Sequence, residues 1–253
     1  MRVLLLGGTT EASRLASLLA GQTGISAILS YAGRTKTPQA PEIPYRIGGF
    51  GGAGGLAAYL KSERIDVLID ATHPFAEQMS RHAALAASHV NIPLLSLSRP
   101  AWRPEAADRW IDASDMAAAA AALGQAPKRV FLTVGRLQIE AFAPAPQHFY
   151  LIRAIEPLAP LSYLPHHRVI LGRGPFTAEA EEKLMREESI DVIVSKNSGG
   201  AATYAKILAA RSLGLPVVMI ARPRQNAGQI LHDPAAVMEF LFRHRATLAR
   251  RGV

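Results

Sequence analysis

The turn Gly7-Gly8-Thr9-Thr10-Glu11 contains residue types that can hold a phosphate, and it lies between the apolar run 3–6 and a leucine-rich stretch. Glycine lets the backbone approach a phosphate without an intervening Cβ. The helix that follows offers free N–H groups and a positive dipole end, and threonine hydroxyls can donate hydrogen bonds. The turn matches neither common nucleotide motif, so a plain turn capped by Thr9 or Thr10 remains an alternative.

The end of the second apolar run carries cations and no acid, in the segment Ser30-Tyr31-Ala32-Gly33-Arg34-Thr35-Lys36. In a dinucleotide fold, this position lies about 20 residues after the glycine turn and meets the adenosine ribose. An acid there suits NAD, whereas cations suit a 2′-phosphate. The segment therefore favours NADP(H) as the cofactor, with a basic surface loop that binds nothing as the alternative.

Two later turns extend the same edge. Gly48-Gly49-Phe50-Gly51-Gly52 permits close approach by an adenine or a pyrophosphate, or simply forms a flexible loop. Asp70-Ala71-Thr72-His73-Pro74-Phe75 follows the fourth apolar run, whose exit lies near the nicotinamide in Rossmann-type folds. We expect His73 either to contact substrate or cofactor or to cap a turn fixed by Pro74.

Three turns in the second half each combine small residues with a cation or an amide at a helix start, which suits a carboxylate or phosphate. Together they indicate a ligand with several anionic groups. Lys196 is also a candidate proton donor, with Tyr204 next, although a plain surface ammonium is the alternative for Lys196. The turns are Gly135-Arg136, Gly172-Arg173-Gly174-Pro175 and Ser195-Lys196-Asn197-Ser198-Gly199-Gly200.

Short apolar runs alternate with helical patterns along the whole chain, which predicts parallel sheets with helices on both faces. The segments that begin at Ile65 and Ile190 share one plan of strand, turn, helix, strand and Arg-Pro. We therefore predict two related Rossmann-like α/β domains, 1–113 and 114–253, facing each other across a cleft. The first would bind NADP(H) and the second would contribute substrate binding.

Composition narrows the classes of partner. The 253 residues contain no cysteine and carry a net charge of +8, which attracts anions. The adjacent pair His166–His167 is the only close histidine pair, so we expect no metal site. No nucleic-acid motif, signal peptide or membrane-length apolar run is present, so we expect a cytoplasmic protein without nucleic-acid or membrane partners.

Three blocks together resemble the precorrin-6A reductase family of cobalamin biosynthesis. They are "LLLGGTTEA", "IDATHPFA" and "SKNSGG…TYAKI.AAR.LGLPVVMI.RP", and they keep the order of that family over nearly the whole chain. The resemblance implies two α/β domains and an NADPH-dependent reduction of one double bond of precorrin-6A to give precorrin-6B. It also implies a polycarboxylate tetrapyrrole as substrate, and hand-over contacts with neighbouring enzymes of the pathway.

The resemblance also implies roles for individual residues. Proton donation would come from Lys196, Tyr204, His73 or water. Residues that would contact the cofactor are Gly7, Gly8, Thr9, Thr10, Glu11, Ser30, Gly33, Arg34, Thr72 and His73. The glycine-rich turn 48–52 adds Gly49 to this set. Residues at the macrocycle or the nicotinamide end would be Lys196, Asn197, Ser198, Gly199 and Gly200, to which the anion-binding turns add Gly135, Arg136 and Arg173.

Two other functions remain alternatives at this stage. A nucleotide-sugar glycosyltransferase also has two facing α/β domains with glycine-rich turns, but it needs acidic residues that bind the sugar donor. A non-catalytic NADP(H) sensor would bind the cofactor and lack the second set of anion-binding turns. The sequence does not separate a cobalt-free from a cobalt-containing substrate.

Overall fold

The computed structural model describes residues 1–32, 40–223 and 228–250. Their helices and strands alternate through most of the chain. In chain order they are β1 (Arg2–Leu6), α1 (Thr10–Leu19), β2 (Ser26–Tyr31), β3 (Tyr45–Ile47), α2 (Gly52–Ser62), β4 (Val67–Asp70), α3 (Glu77–Val90), β5 (Leu94–Leu97), β6 (Arg109–Ala113), α4 (Met116–Ala122), β7 (Arg129–Thr133), a 3-10 helix (Arg136–Phe142), β8 (Phe149–Ala154), β9 (His167–Leu171), α5 (Ala178–Glu187), β10 (Val192–Lys196), α6 (Ala205–Ser212), β11 (Pro216–Ile220), β12 (Gln229–Leu231) and α7 (Pro234–Arg250).

The first of two compact units is built on a six-stranded parallel sheet in the order β12-β5-β4-β1-β2-β3, which we call the first sheet. Its central strand β1 is apolar from Val3 to Leu6, where both of its faces are covered. Val3 and Leu5 pack with α1 and α7 on one face. Leu4 and Leu6 pack with α2 and α3 on the other face.

The second unit, Ala101–Pro223, contains a second six-stranded parallel sheet in the order β6-β11-β10-β7-β8-β9, called here the second sheet. On one face, Phe131 and Ile193 pack with α5 and α6. The 3-10 helix and α4 pack together on the other face. The two units confirm the predicted pair of Rossmann-like parallel sheets, each with helices on both faces.

The predicted division at 113/114 needs correction, because the second unit begins before it and the first unit takes an edge strand from near the end of the chain. Strand β6 lies before that boundary but pairs with β11 in the second sheet. Strand β12 lies far after it but pairs with β5 in the first sheet, and α7 packs against α1. The first unit therefore comprises Met1–Pro100 and the C-terminal segment, and the second comprises Ala101–Pro223.

Helix ends follow the local sequence. Thr9 is the N-cap of α1 and Thr177 is the N-cap of α5, each accepting a hydrogen bond from the backbone N–H three residues later. Gly214 follows α6 with φ +64°, a left-handed conformation that favours glycine at this position. Among the residues that the structure describes, no helix has the length and apolarity to cross a bilayer.

Gly54 and Gly55 of α2 allow the cost of a steric clash to be compared with the gain in helix propensity from alanine. A Cβ on Gly55 would lie 1.7 Å from the carbonyl oxygen of Phe50, whereas a Cβ on Gly54 would have no neighbour within 4 Å. We expect Gly55→Ala to lower the free energy of unfolding by about 1–3 kcal/mol. Gly54→Ala should leave it unchanged or raise it by up to about 1 kcal/mol. Urea unfolding measures both, and equal effects would contradict the close approach.

Candidate functional site

The predicted cofactor residues in the described part of the first unit lie at the carboxyl edge of the first sheet, called here the first edge. Strand β1 is flanked by β2 and β4, so the turns after these three strands are neighbours. The N–H of Gly7 donates to the carbonyl of Ser30 at 2.9 Å. The hydroxyl of Thr9 donates to the carbonyl of Ala71 at 2.8 Å. These bonds bring the glycine turn, the end of β2 and the end of β4 together.

The two glycines of this turn serve different purposes. A Cβ on Gly7 would lie 2.5 Å from the Cδ1 atom of Leu29, so Gly7 permits tight packing against β2. Gly8 has φ +120°, which L side chains rarely adopt, and a Cβ there would have nothing within 4 Å. The backbone at Gly8 is therefore open to an approaching group, and it lies just before the N-terminus of α1. This geometry fits a phosphate of a nucleotide cofactor.

The threonines and the acid of the turn are already engaged. The Oγ1 atom of Thr9 accepts from the N–H of Ala12 at 3.1 Å and gives its proton to Ala71, so it has no second proton for a phosphate. Thr10 donates to the carboxylate of Glu11 at 3.2 Å. Glu11 also pairs with Arg99 at 3.0 Å, which offsets a charge that would otherwise repel an anionic ligand.

The turn after β4 is held by its own side chains. The Oδ1 atom of Asp70 accepts from both the N–H and the hydroxyl of Thr72, at 3.0 and 2.6 Å. The Nδ1 atom of His73 accepts from the N–H of Phe75 at 3.2 Å, so His73 does cap the turn that contains Pro74. In its neutral form, this ring therefore carries its proton on Nε2, and a contact from Nε2 to a ligand stays a prediction.

The cations predicted for a 2′-phosphate fall partly outside the described residues. Gly33 and Arg34, with Lys36 after them, lie in the segment that is not described. Ser30 is described, and its hydroxyl accepts from the guanidinium of Arg46 at 2.8 Å. That guanidinium also donates to the carbonyl of Gly49 at 3.1 Å. Arg46 was missed at the sequence level, where it reads only as a polar residue in a short strand.

The predicted substrate residues lie at the carboxyl edge of the second sheet, called here the second edge. Lys196 ends β10 and donates to the Oε1 atom of Gln138 at 2.9 Å. The same oxygen accepts from the N–H of Gly135 at 3.1 Å. A Cβ on Gly135 would lie 2.9 Å from this oxygen. Glycine at this position therefore leaves room for the Gln138 amide beside the turn.

The segment after Lys196 is held in place by hydrogen bonds to Trp102. The side-chain amide of Asn197 accepts from the N–H of Trp102 at 2.8 Å and donates to its carbonyl at 3.0 Å. Asn197 is thus occupied in holding the start of the second unit. Gly199 and Gly200 have φ +66° and +74°, and Ser198 before them is buried. The carbonyl of Gly200 accepts from the indole of Trp102 at 2.8 Å.

Tyr204 is less available as a proton donor than the sequence implied. Its hydroxyl accepts from the guanidinium of Arg211 at 2.8 Å and donates to Glu105 at 3.3 Å. Burial alone would raise the pKa of the Asp108 carboxyl, but two hydrogen bonds from Arg211 and one from the N–H of Glu105 outweigh it, so the pKa is lowered. The hydroxyl proton of Tyr204 is therefore committed to a network of ion pairs.

Arg136 and Arg173 follow β7 and β9 and are both exposed. Within the described ranges, neither side chain makes a hydrogen bond or an ion pair. Strand β8 separates β7 from β9, so the two turns are about 10 Å apart along the sheet edge. Two cations with this spacing suit a large ligand that carries several carboxylates.

A buried lysine at the second edge was also missed. Lys206 lies in the first turn of α6, is 7% exposed, and donates to the carbonyl of Thr203 at 2.9 Å. Near it, Arg153 and Glu181 form a two-bond ion pair at 2.9 and 2.7 Å. Burial lowers the pKa of Lys206 to about 7; Glu181 opposes this shift, and Arg153 and Lys196 add to it. The sequence signal was a lone lysine within an otherwise apolar helix start.

The low pKa of Lys206 predicts a pH-dependent stability. Because the unfolded chain holds this proton up to about pH 10, it binds more protons than the folded protein between about pH 7 and about pH 10. The free energy of unfolding of the wild type should therefore rise across this window relative to Lys206→Met. Urea unfolding at several pH values measures the difference. Exposed Lys183→Met is the control, and parallel pH curves for wild type and Lys206→Met would contradict the buried ammonium.

Comparison with known proteins identifies the family to which this chain is similar. The model of the family described as "Precorrin-6x reductase CbiJ/CobK" matches residues 2–241. The precorrin-6A reductase of Rhodobacter capsulatus is 50% identical over 246 residues, covering 97% of this chain and 98% of the relative. The cobalt-precorrin-6A reductase of Priestia megaterium is 27% identical over 240 residues, covering 90% and 93%.

A solved structure agrees with this assignment. The structure described as "CobK precorrin-6A reductase" matches with a TM-score of 0.90 and 50% identity, covering 96% of this chain and 97% of the other. The match extends over both units, so it supports a reductase over the glycosyltransferase and sensor alternatives. With nearly complete coverage by sequence and by structure, this chain belongs to the precorrin-6x reductase CbiJ/CobK family.

Proposed function

We propose that this protein reduces one double bond of precorrin-6A with NADPH, giving precorrin-6B and NADP⁺, in cobalamin biosynthesis. The observation that carries the proposal is the 50% identity to the Rhodobacter capsulatus precorrin-6A reductase over nearly the full length of both chains. The reaction consumes one hydride and one proton for each double bond. NADPH would supply the hydride. The protein would bind two large anions, NADPH and the macrocycle, and would provide a donor or a route for the proton.

The proposed cofactor residues are those of the first edge. The open backbone at Gly8 and the N-terminus of α1 would hold the pyrophosphate, where N–H groups and the helix dipole favour negative charge. The ion pair between Glu11 and Arg99 keeps the local charge balanced. Support for NADPH over NADH comes from the absence of an acid in 26–37, the segment of β2 and the residues after it.

The proposed substrate residues are those of the second edge. A tetrapyrrole with acetate and propionate arms needs several separated cations, and Arg136 and Arg173 have this arrangement. Lys196 is the favoured proton donor because its ammonium lies at the second edge, where it donates to the neutral amide oxygen of Gln138. Tyr204 is less favoured since its hydroxyl proton is bonded to Glu105.

The cobalt-free substrate is favoured by the degree of similarity. Relatives named precorrin-6A reductase reach 50% identity, whereas the Priestia megaterium relative named for the cobalt-containing substrate reaches 27%. Charge at the macrocycle centre differs between the two substrates. Residues that face this centre are therefore expected to differ between the relatives that act on the cobalt-free substrate and those that act on the cobalt-containing one.

The activity can be measured directly. With precorrin-6A and NADPH, the purified protein should oxidise NADPH and release a product with two more hydrogen atoms, detected by absorbance and mass spectrometry. We expect kcat/KM with NADPH to exceed that with NADH by about tenfold or more, since a bound 2′-phosphate adds charge-assisted hydrogen bonds. Turnover of only the cobalt-containing macrocycle would contradict the substrate assignment, and an equal rate with NADH would contradict the cofactor assignment.

The arginines of the second edge predict a change in substrate binding. Arg136→Gln and Arg173→Gln should each raise the KM for precorrin-6A by about two- to fivefold, because each removes one exposed contact to a carboxylate. The kcat should change little. Arg186→Gln is the matched control, since Arg186 lies in the last turn of α5, at the far end of that helix from its start after β9. A raised KM in the control and no change in the two variants would exclude the assigned surface.

A further inference from the structure

Arg46 lies beside the end of β2 although it belongs to β3. The parallel register places it directly opposite Ser30. Its Nη1 atom donates to the Ser30 hydroxyl at 2.8 Å and to the carbonyl of Gly48 at 2.9 Å, and its Nη2 atom donates to the carbonyl of Gly49 at 3.1 Å. The guanidinium stacks on the ring of Phe50, with its carbon 4.0 Å from the ring centroid.

This guanidinium is a partly buried cation, and its hydrogen bonds to described residues go to neutral oxygens. Among the described residues, no carboxylate pairs with Arg46. Within 1–32, 40–223 and 228–250, three of its five N–H groups donate to Ser30, Gly48 and Gly49, and the Nε–H and one Nη2–H have no partner. These donors belong to adjacent nitrogens, and such a pair is the group that binds a phosphate or carboxylate with two parallel hydrogen bonds. A cation held in this way is suited to an anion from outside the protein.

Ser30, in contrast, presents little surface. It is 4% exposed, and the guanidinium of Arg46 is bonded to its hydroxyl. An anion that arrives at the end of β2 therefore meets the edge of Arg46 before it meets the serine. Ser30 serves to orient Arg46, which is a different role from the direct phosphate contact expected from the sequence.

The position of Arg46 at the end of β2 indicates which part of the cofactor it would contact. In dinucleotide folds, the end of the second strand meets the adenosine ribose, and a nearby arginine accommodates a 2′-phosphate. Here the end of β2 is fixed to the glycine turn by the bond from the N–H of Gly7 to the carbonyl of Ser30. The proposed pyrophosphate site and Arg46 thus lie on either side of this bond, in the order that a bound nucleotide requires.

We propose that Arg46 binds the 2′-phosphate of NADPH through the free edge of its guanidinium and thereby sets the preference for NADPH over NADH. The inference rests on the proposed use of NADPH. It adds a cation from β3 to the arginine and lysine predicted in the segment after β2. Phe50 and Ser30 are positioning residues that hold the guanidinium in place.

The test must separate this role from support of the glycine turn, because Arg46 also bonds to Gly48 and Gly49. Dissociation constants for NADPH and NADH are measured by fluorescence titration for wild type, Arg46→Met and Arg46→Lys. Competition by 2′,5′-ADP and by 5′-AMP reports the 2′-phosphate without the nicotinamide. The control is Arg81→Met on α3, which removes one exposed cation from the same unit.

We expect Arg46→Met to weaken NADPH and 2′,5′-ADP on the order of tenfold or more, and NADH and 5′-AMP by less than about threefold. Arg46→Lys should keep part of the preference, since it retains the charge and loses the planar pair of donors. The control should bind all four ligands as the wild type does. If Arg46→Met does not fold, Arg46→Lys still decides the question by its NADPH-to-NADH ratio.

Three results would contradict the proposal, and each would overturn a different part of it. Equal losses for NADPH and NADH in the Arg46 variants, with a wild type that prefers NADPH, would overturn the role of Arg46 and leave the proposed function intact. A wild type that binds NADH as well as NADPH would instead overturn the cofactor assignment, and this inference with it. Loss of binding to a polycarboxylate porphyrin, with the NADPH preference unchanged, would assign Arg46 to the substrate.

Discussion

Parallel pairing of every strand is the constraint on which the arrangement of both units depends. Each parallel strand must end at the same edge as its neighbours, because the connection to the next strand crosses a face of the sheet. Residues that are distant in sequence, such as Gly7, Arg46 and Thr72, thereby reach one edge. The bond from Gly7 to Ser30 is the direct evidence for this closeness. Without the parallel ladder, the glycine turns would be unrelated loops.

The exchange of edge strands adds a second level of organisation. The five strands that follow one another in each half form the main part of one sheet, and each run ends near an Arg-Pro pair. After each pair the chain enters the other unit and supplies its sixth strand and a helix, β6 with α4 and β12 with α7. The first sheet is therefore completed only by the C-terminal segment, whereas the second unit, Ala101–Pro223, is continuous along the chain.

The local features of the fold were predictable from sequence, and the distant ones were not. The N-caps Thr9 and Thr177 follow from residue type and from neighbours within one turn. The domain boundary at 113/114 was wrong because a strand's pattern does not identify the sheet that it joins. Strand β6 looks the same whether it pairs with the preceding or the following half.

The same limit applies within the candidate site. Sequence spacing pointed to Lys196 and to the glycine turns because strand exits can be recognised locally. It could not show that the amide of Asn197 is used by Trp102, 95 residues away, or that Arg46 covers Ser30. Lys206 was missed for a related reason, because the burial that lowers its pKa comes from packing of α5, α6 and the second sheet.

The cations of this protein divide into those that stabilise the fold and those that cost it stability. Arg211 and Arg153 have carboxylate partners with two bonds each, and breaking such a pair is unfavourable. Lys206 is buried with a carbonyl partner, and burial lowers its pKa although the Glu181 carboxylate opposes this shift, so its ammonium is unfavourable. An anionic ligand near such a group would favour its charged form. Binding and stability would then be linked, because the ligand would bind only the folded state and offset a cost of burial that exists only there.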